Sequence, residues 1–290
     1  MRLPATILTV WFVGCSGANA SEAATAAGAP LASAAPAESA IADALRARGV
    51  RQPEVLLYLH LANEFDTTSG WALAVVRERD SRDPEWIEYG PLFICFLKEP
   101  SPACLDQAGN PAKVDEADGS IPYEFQEARV VQAAADGRSP RLLVKTCTES
   151  SGDGDCAIHT TLYAYDRAAD RFEPMFHNAT GHNRNQRTRF VEDGPIRGDI
   201  IVDEPTANAP YTYWVEVFQP QGDGRYARVL RYRGRTEYSD GNVLAVADSE
   251  MPEVLRRLGF WKSGDPLPIP PKMPAGCTTL FLRKGVEWCK

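Results

Sequence analysis

The sequence predicts a mainly β fold, an antiparallel meander with one or two short helices. Three observations carry this. Segments rich in branched and aromatic residues recur along the chain. Clusters of Gly, Pro, Asp and Ser separate them as turns. Helical periodicity shows only in two short stretches, so the alternation of strands and helices expected of a parallel sheet is missing.

From the N-terminus, Met1-Arg2 and the apolar run of residues 3–13 read as a signal peptide, residues 1–14, too short to span a bilayer. Phe12-Val13-Gly14-Cys15 resembles a bacterial lipobox, in which the cysteine is lipidated and becomes the mature N-terminus. Phe12 departs from that pattern, which usually holds Leu there. The alternative cut follows Ala18-Asn19-Ala20 and would release a soluble protein starting at Ser21. The lipobox is favoured, which makes Cys15 the lipidation site. Ser16 behind it implies the outer membrane, facing the periplasm.

Residues 15–40 read as a tether: twelve of the 25 residues from 16 to 40 are Ala, and such a stretch buries nothing. As a flexible coil it would hold a domain about 25–30 Å from an anchor. The remaining chain, residues 41–290, is long enough for one substantial core and reads as a single disulfide-stabilised domain. Without Arg2, 30 basic residues face 39 acidic ones, so nucleic acid is not the expected partner.

Within the domain, Ile41 and Leu45 stand one helical turn apart, with Gly49 behind them, and residues 37–48 read as the first helix. Strands follow at residues 54–61, 71–77, 86–97, 123–132 and 141–148. A second helix spans residues 250–257, with Ser249 as its cap, Pro252 in its first turn and Gly259 as its stop. A Pro-rich stretch, 265–274, leads to a terminal hairpin. Leaving Cys15 aside, six cysteines remain, and nearest-neighbour pairing joins Cys95 to Cys104, Cys147 to Cys156 and Cys277 to Cys289. Each bridge would close a loop of about ten residues and contribute about 2–3 kcal/mol.

Two hairpins look alike. Leu162-Tyr163-Ala164-Tyr165-Asp166 returns through Arg171-Phe172-Glu173-Pro174, and Trp214-Val215-Glu216-Val217-Phe218 returns through Gly224-Arg225-Tyr226-Ala227-Arg228. They resemble blade hairpins of exported β-propeller-like proteins of the FG-GAP kind, over about a quarter of the chain. That resemblance implies a propeller-like arrangement, although a repeat of fixed period is missing.

For chemistry the sequence offers little. The motifs G-x-S-x-G, H-E-x-x-H and S-x-x-K and a phosphate-binding Gly-rich loop are absent, and no catalytic residue is assigned. His60 reads as a core residue, and His177 and His182 as members of a solvated loop rather than a shared metal site. Asp153 and Asp155, in the 148–155 loop, fall short of a calcium loop because Thr160 stands where a bidentate Glu belongs. No cofactor is expected. Asp153 and Asp155 are candidates for partner binding, as acids on a loop closed by cysteines. Arg231 and Arg233 are candidates too, pointing the same way from a strand with aromatic neighbours. The rival for the arginines is a solvated face paired with acids such as Glu216. The reading that follows is a periplasmic, lipid-anchored binding or inhibitor protein without catalysis, its partner an envelope protein or a cell-wall enzyme. An envelope hydrolase using carboxylates and a structural outer-membrane lipoprotein are the alternatives.

Overall fold

Strand β1 (Pro53–His60) is rich in Leu and Val, and it pairs antiparallel with β2 (Trp71–Arg79), which pairs in turn with β3 (Tyr89–Lys98). The computed structural model describes residues 34–79, 89–111, 122–134, 139–149, 156–181, 187–207, 211–234, 237, 244–273, 275–284 and 286–290. Helix α1 (Ala34–Arg46) precedes the first sheet, and the short α2 (Ala62–Phe65) lies between β1 and β2. The second sheet is β4 (Glu124–Gln132), β5 (Pro140–Glu149), β6 (Cys156–Asp166) and β7 (Arg171–Thr180), in that order. The third is β8 (Thr188–Phe190), β9 (Ile200–Pro205), β10 (Tyr213–Pro220) and β11 (Tyr226–Arg233), again in chain order. Helix α3 (Val246–Arg257) and the hairpin of β12 (Leu280–Arg283) and β13 (Val286–Cys289) complete the chain.

Every strand pair is antiparallel and every sheet is a meander, as the spacing of turn residues predicts. The sheets stack face to face because their strands carry apolar residues on both faces. Leu73, Val75, Leu92 and Phe96 of the first sheet pack on Leu142, Val144 and Phe172 of the second. The opposite face of the second sheet supplies Val131, Leu143, Leu162 and Phe176, which meet Phe190, Ile200 and Val202 of the third. Close approach there needs a residue without a Cβ: Gly198 has φ +90°, and a Cβ on it would fall 2.0 Å from the Ala133 carbonyl oxygen.

The two end faces of the stack are covered by helices. Ile41 and Leu45 of α1 pack on Ala72, Ala74 and Val76, whereas Met251, Val254 and Leu255 of α3 pack on Ile201, Val215 and Val217. Helices α1 and α3 thus cover the outer faces of the first and third sheets.

Helix α1 begins at Ala34, inside the stretch read as tether, because Ala has the highest helix propensity once Ile41 and Leu45 anchor one face. Helix α3 starts earlier than its sequence signal, at Val246 behind Ala245, which makes no side-chain cap; Ser249 lies within the first turns. Among the described residues no helix is long and apolar enough to cross a membrane. Cys95–Cys104 and Cys277–Cys289 are bonded as the sequence predicts, with Cα atoms 4.6 Å and 5.5 Å apart. Cys147 is also disulfide-bonded, and the side chain of Cys156 lies outside the described residues. Cys15 lies outside them as well.

Candidate functional site

The second sheet is wider than the part of the third that covers it, because β8 has only three residues. A strip of its face is left as the floor of a groove of about 1080 Å³. Cross-strand register sets that floor. Glu127 stands opposite Lys145, Lys145 opposite Thr160, and Thr160 opposite Asn178, one polar row running across four strands. Leu143 and Ile158 flank the row. One wall is formed by residues 187–193 and the first turn of α3, and the other side by Pro268, Ile269, Pro270, Pro271 and Lys272. Gly194 lets these approach: its φ is +74°, and a Cβ would sit 2.5 Å from Ile269 Cγ1.

Charges in the groove are largely paired. Arg129 donates to both oxygens of Glu192, at 3.0 and 2.6 Å, a bidentate bridge joining the second sheet to the wall. Its Nε donates to Glu127, whose other oxygen lies 3.5 Å from Lys145 Nζ. Arg189 pairs with Asp248 at the start of α3, where a carboxylate suits the helix dipole. Asn178 Nδ2 donates to Thr188 Oγ1 at 3.0 Å. Two exposed cations on the rim, Arg187 and Lys272, have no carboxylate partner among the described residues. Thr160 Oγ1, in the floor, is buried without a hydrogen-bond partner there.

Behind the wall, under α3, is a buried acidic group. Asp203 of β9 is fully buried, and no side chain among the described residues donates to either of its oxygens. Burial, with the Glu250 charge added, raises its carboxyl well above the usual carboxylate range; the Ala247 amide and Arg189 offset this in part. Glu250, also buried, accepts from the Tyr232 hydroxyl at 3.0 Å. Asp203 is not among the described residues lining the groove.

Arg231 and Arg233, named from sequence, fall outside the described lining of the groove. Arg231 and Arg233 share a face of the edge strand β11, opposite Glu216 and Trp214. Arg231 bonds Glu216 at 3.0 Å and stacks over Trp214 at 4.7 Å, whereas Arg233 donates to Thr212 Oγ1 at 2.8 Å. Arg231 is thus paired with an acid across the strand pair, whereas Arg233 is held by a hydroxyl. Asp153 and Asp155 lie outside the described residues, as does His182. His177 instead meets His159 on the adjacent strand, ring centroids 5.4 Å apart, and each ring has a nitrogen 2.9 Å from a threonine hydroxyl. Burial first, then the His177 charge, lowers the His159 pKa. Among the described residues no group of three or more His, Cys, Asp or Glu gathers as a metal site. His60, read as a core residue, is exposed on β1 and bonds Glu99 at 3.2 Å. Facing outward from an edge strand, it is solvated where an inward register would have buried it.

Sequence reasoning missed the groove. The spacing of Glu127 and Arg129 places both on one face of a strand, yet nothing local says that this face is covered at one end and open at the other. Comparison of the chain with family models, curated proteins and solved structures returned no match.

Proposed function

We propose that the chain is a lipid-anchored envelope protein that binds a partner through the groove and catalyses nothing there. The partner would be another envelope protein, a cell-wall-acting enzyme among them, contributing an extended polar segment. The observation that carries this is the pairing of the groove's charges. Glu127, Glu192 and Asp248 are each held by arginine, so these three carboxylates are set as fixed recognition groups rather than as a free acid and base. Pre-paired side chains lose little freedom when a partner arrives, which favours binding. A groove floored by Glu127, Lys145 and Thr160 also differs from the mainly apolar, enclosed pockets that hold small molecules. The hydrolase reading would rest on Asp203 and Glu250, whose burial beneath α3 gives it less support.

The test reverses the exposed rim cations, Arg187→Glu with Lys272→Glu, in a pull-down from envelope extract. Both side chains are exposed, so the thermal midpoint should hold within a degree or so. Capture of the principal partner should weaken by about tenfold and lose most of its salt dependence. Undiminished capture with unchanged salt dependence would remove the groove from the binding surface.

A further inference from the structure

Among the residues from 273 to 290 whose burial is described, none is buried, and β12 and β13 make their contacts chiefly with each other. A hairpin of two four-residue strands is marginal in water by itself. The Cys277–Cys289 bond closes it at the base. The chain thus holds a covalently closed hairpin at its surface.

What that hairpin presents is apolar and basic. Phe281 stands directly opposite Trp288, and the two are 45% and 44% exposed. Arg283, two residues after Phe281, shares their face; Lys284 follows it at the turn, and Lys290 is exposed at the other end, past the base. Phe260 and Met273 are also exposed, so among the described residues four of the six large exposed hydrophobics fall in this last part of the chain. Charge is distributed unevenly too. Residues 258–290 carry five basic side chains against two acidic ones, in a chain whose net charge is −8.

We propose that the β12–β13 hairpin is a membrane-docking element that seats Phe281 and Trp288 in the headgroup region of an anionic lipid bilayer, with Arg283, Lys284 and Lys290 on the lipid phosphates. An apolar body with a polar edge is what the interface favours, and Trp is enriched there for that reason. Cations flanking such aromatics add attraction to anionic headgroups that falls away within a Debye length. The two strands pair their inward-facing backbone groups with each other, and the groups on the two outer edges remain available to the hydrated headgroup layer, which sets the docking depth at the interface rather than in the apolar interior. The favoured occupant is a lipid surface rather than an acidic protein because the exposed pair is apolar and aromatic, with cations along the same hairpin, the combination that the headgroup region favours.

The experiment uses the full chain with Cys15→Ser, which removes the sulfur read as the lipid acceptor. Sedimentation is measured with vesicles of phosphatidylcholine alone and of phosphatidylcholine mixed with phosphatidylglycerol. The parent should partition onto the phosphatidylglycerol vesicles, and Phe281→Ser with Trp288→Ser should reduce this by about tenfold. Arg283→Glu with Lys284→Glu should abolish the preference for phosphatidylglycerol while the thermal midpoint is unchanged. Brominated lipids should quench the parent's fluorescence more than that of Trp288→Phe, a readout that keeps the hairpin intact. Equal partitioning of parent and double-serine variant overturns the proposal, as does equal quenching of parent and Trp288→Phe. Retention of the parent on polyglutamate but not on vesicles assigns the hairpin to an acidic protein and overturns it as well.

Discussion

Trp71→Ala should lower stability by about 3–5 kcal/mol, the upper range for a buried aromatic, and the thermal midpoint by about 10 °C. Trp71 is fully buried where the first two sheets meet. Its ring stands edge-on to Phe96 and Phe172, at 6.4 and 5.6 Å, with Lys98 Nζ 4.8 Å from the ring centroid. The indole N–H donates to Asp170 Oδ1 at 2.8 Å. Asp170 lies in the β6–β7 turn at φ +46° and also accepts from Ser69, Tyr165 and Lys98. Burial works against its charge, but these donors outweigh burial and hold the carboxyl well below the usual range. One carboxylate thereby clamps the start of β2 to the second sheet. A cycle of Trp71→Phe and Asp170→Asn should show coupling of about 1–3 kcal/mol in urea unfolding. Additive effects would mean that the indole acts through packing alone.

Asp203→Asn should stabilise the protein by about 1–3 kcal/mol at pH 7, because it removes a carboxyl whose ionisation burial opposes and to which no described side chain donates. The groups facing it are Glu250 and Asp248 of α3, Arg189 of β8 and Tyr232 of β11. The sign follows from proton linkage. Below the unfolded carboxyl pKa of about 3.9 both states are protonated, and the two proteins should be equally stable. As pH rises past that value the unfolded chain releases the proton while the native state keeps it, so native stability falls until the native pKa is passed. Asp203→Asn should remove that fall. Asp199 has the same sign: burial pushes its carboxyl up to about 6 despite the bond from Gln219, so a smaller decline between about pH 4 and 6 should persist in the variant. Glu54 and Glu253 act oppositely. Arginines hold each at about 2, and the stability they contribute is lost as pH falls toward that value. Parallel curves for Asp203→Asn and the parent across pH 4 to 8 would show that Asp203 titrates alike in both states.

Much of the secondary structure was legible because its signals are local. Branched and aromatic runs marked β1 to β7, and β2 starts at Trp71 as expected. The spacing of the cysteines selected two bonded pairs that the structure contains, each closing a nearby stretch of chain. The short strands β8 and β9 carried no comparable signal, because three residues give no alternation to read and β9 is buried along most of its length. The hairpin likeness of β6–β7 and β10–β11 did describe strand pairs, and each lies in a meander sheet. Whether such sheets close on themselves depends on what covers the last face, and α1 and α3 do so here.

The candidate residues show the same division. Arg231 and Arg233 were recognised as a ladder from period-two spacing, and only cross-strand register showed Glu216 opposite Arg231. The sequence by itself determined the β class, the antiparallel order and two disulfides, since propensity, turn chemistry and short loop closure act over a few residues. Tertiary structure alone decided that Glu127, Lys145 and Thr160 share an open floor, that Arg129 bridges to Glu192, and that Asp203 is enclosed with Glu250. Those relations join residues from about fifteen to more than sixty positions apart, through the stacking of whole sheets, and depend on which faces are covered rather than on which residues are neighbours in the chain.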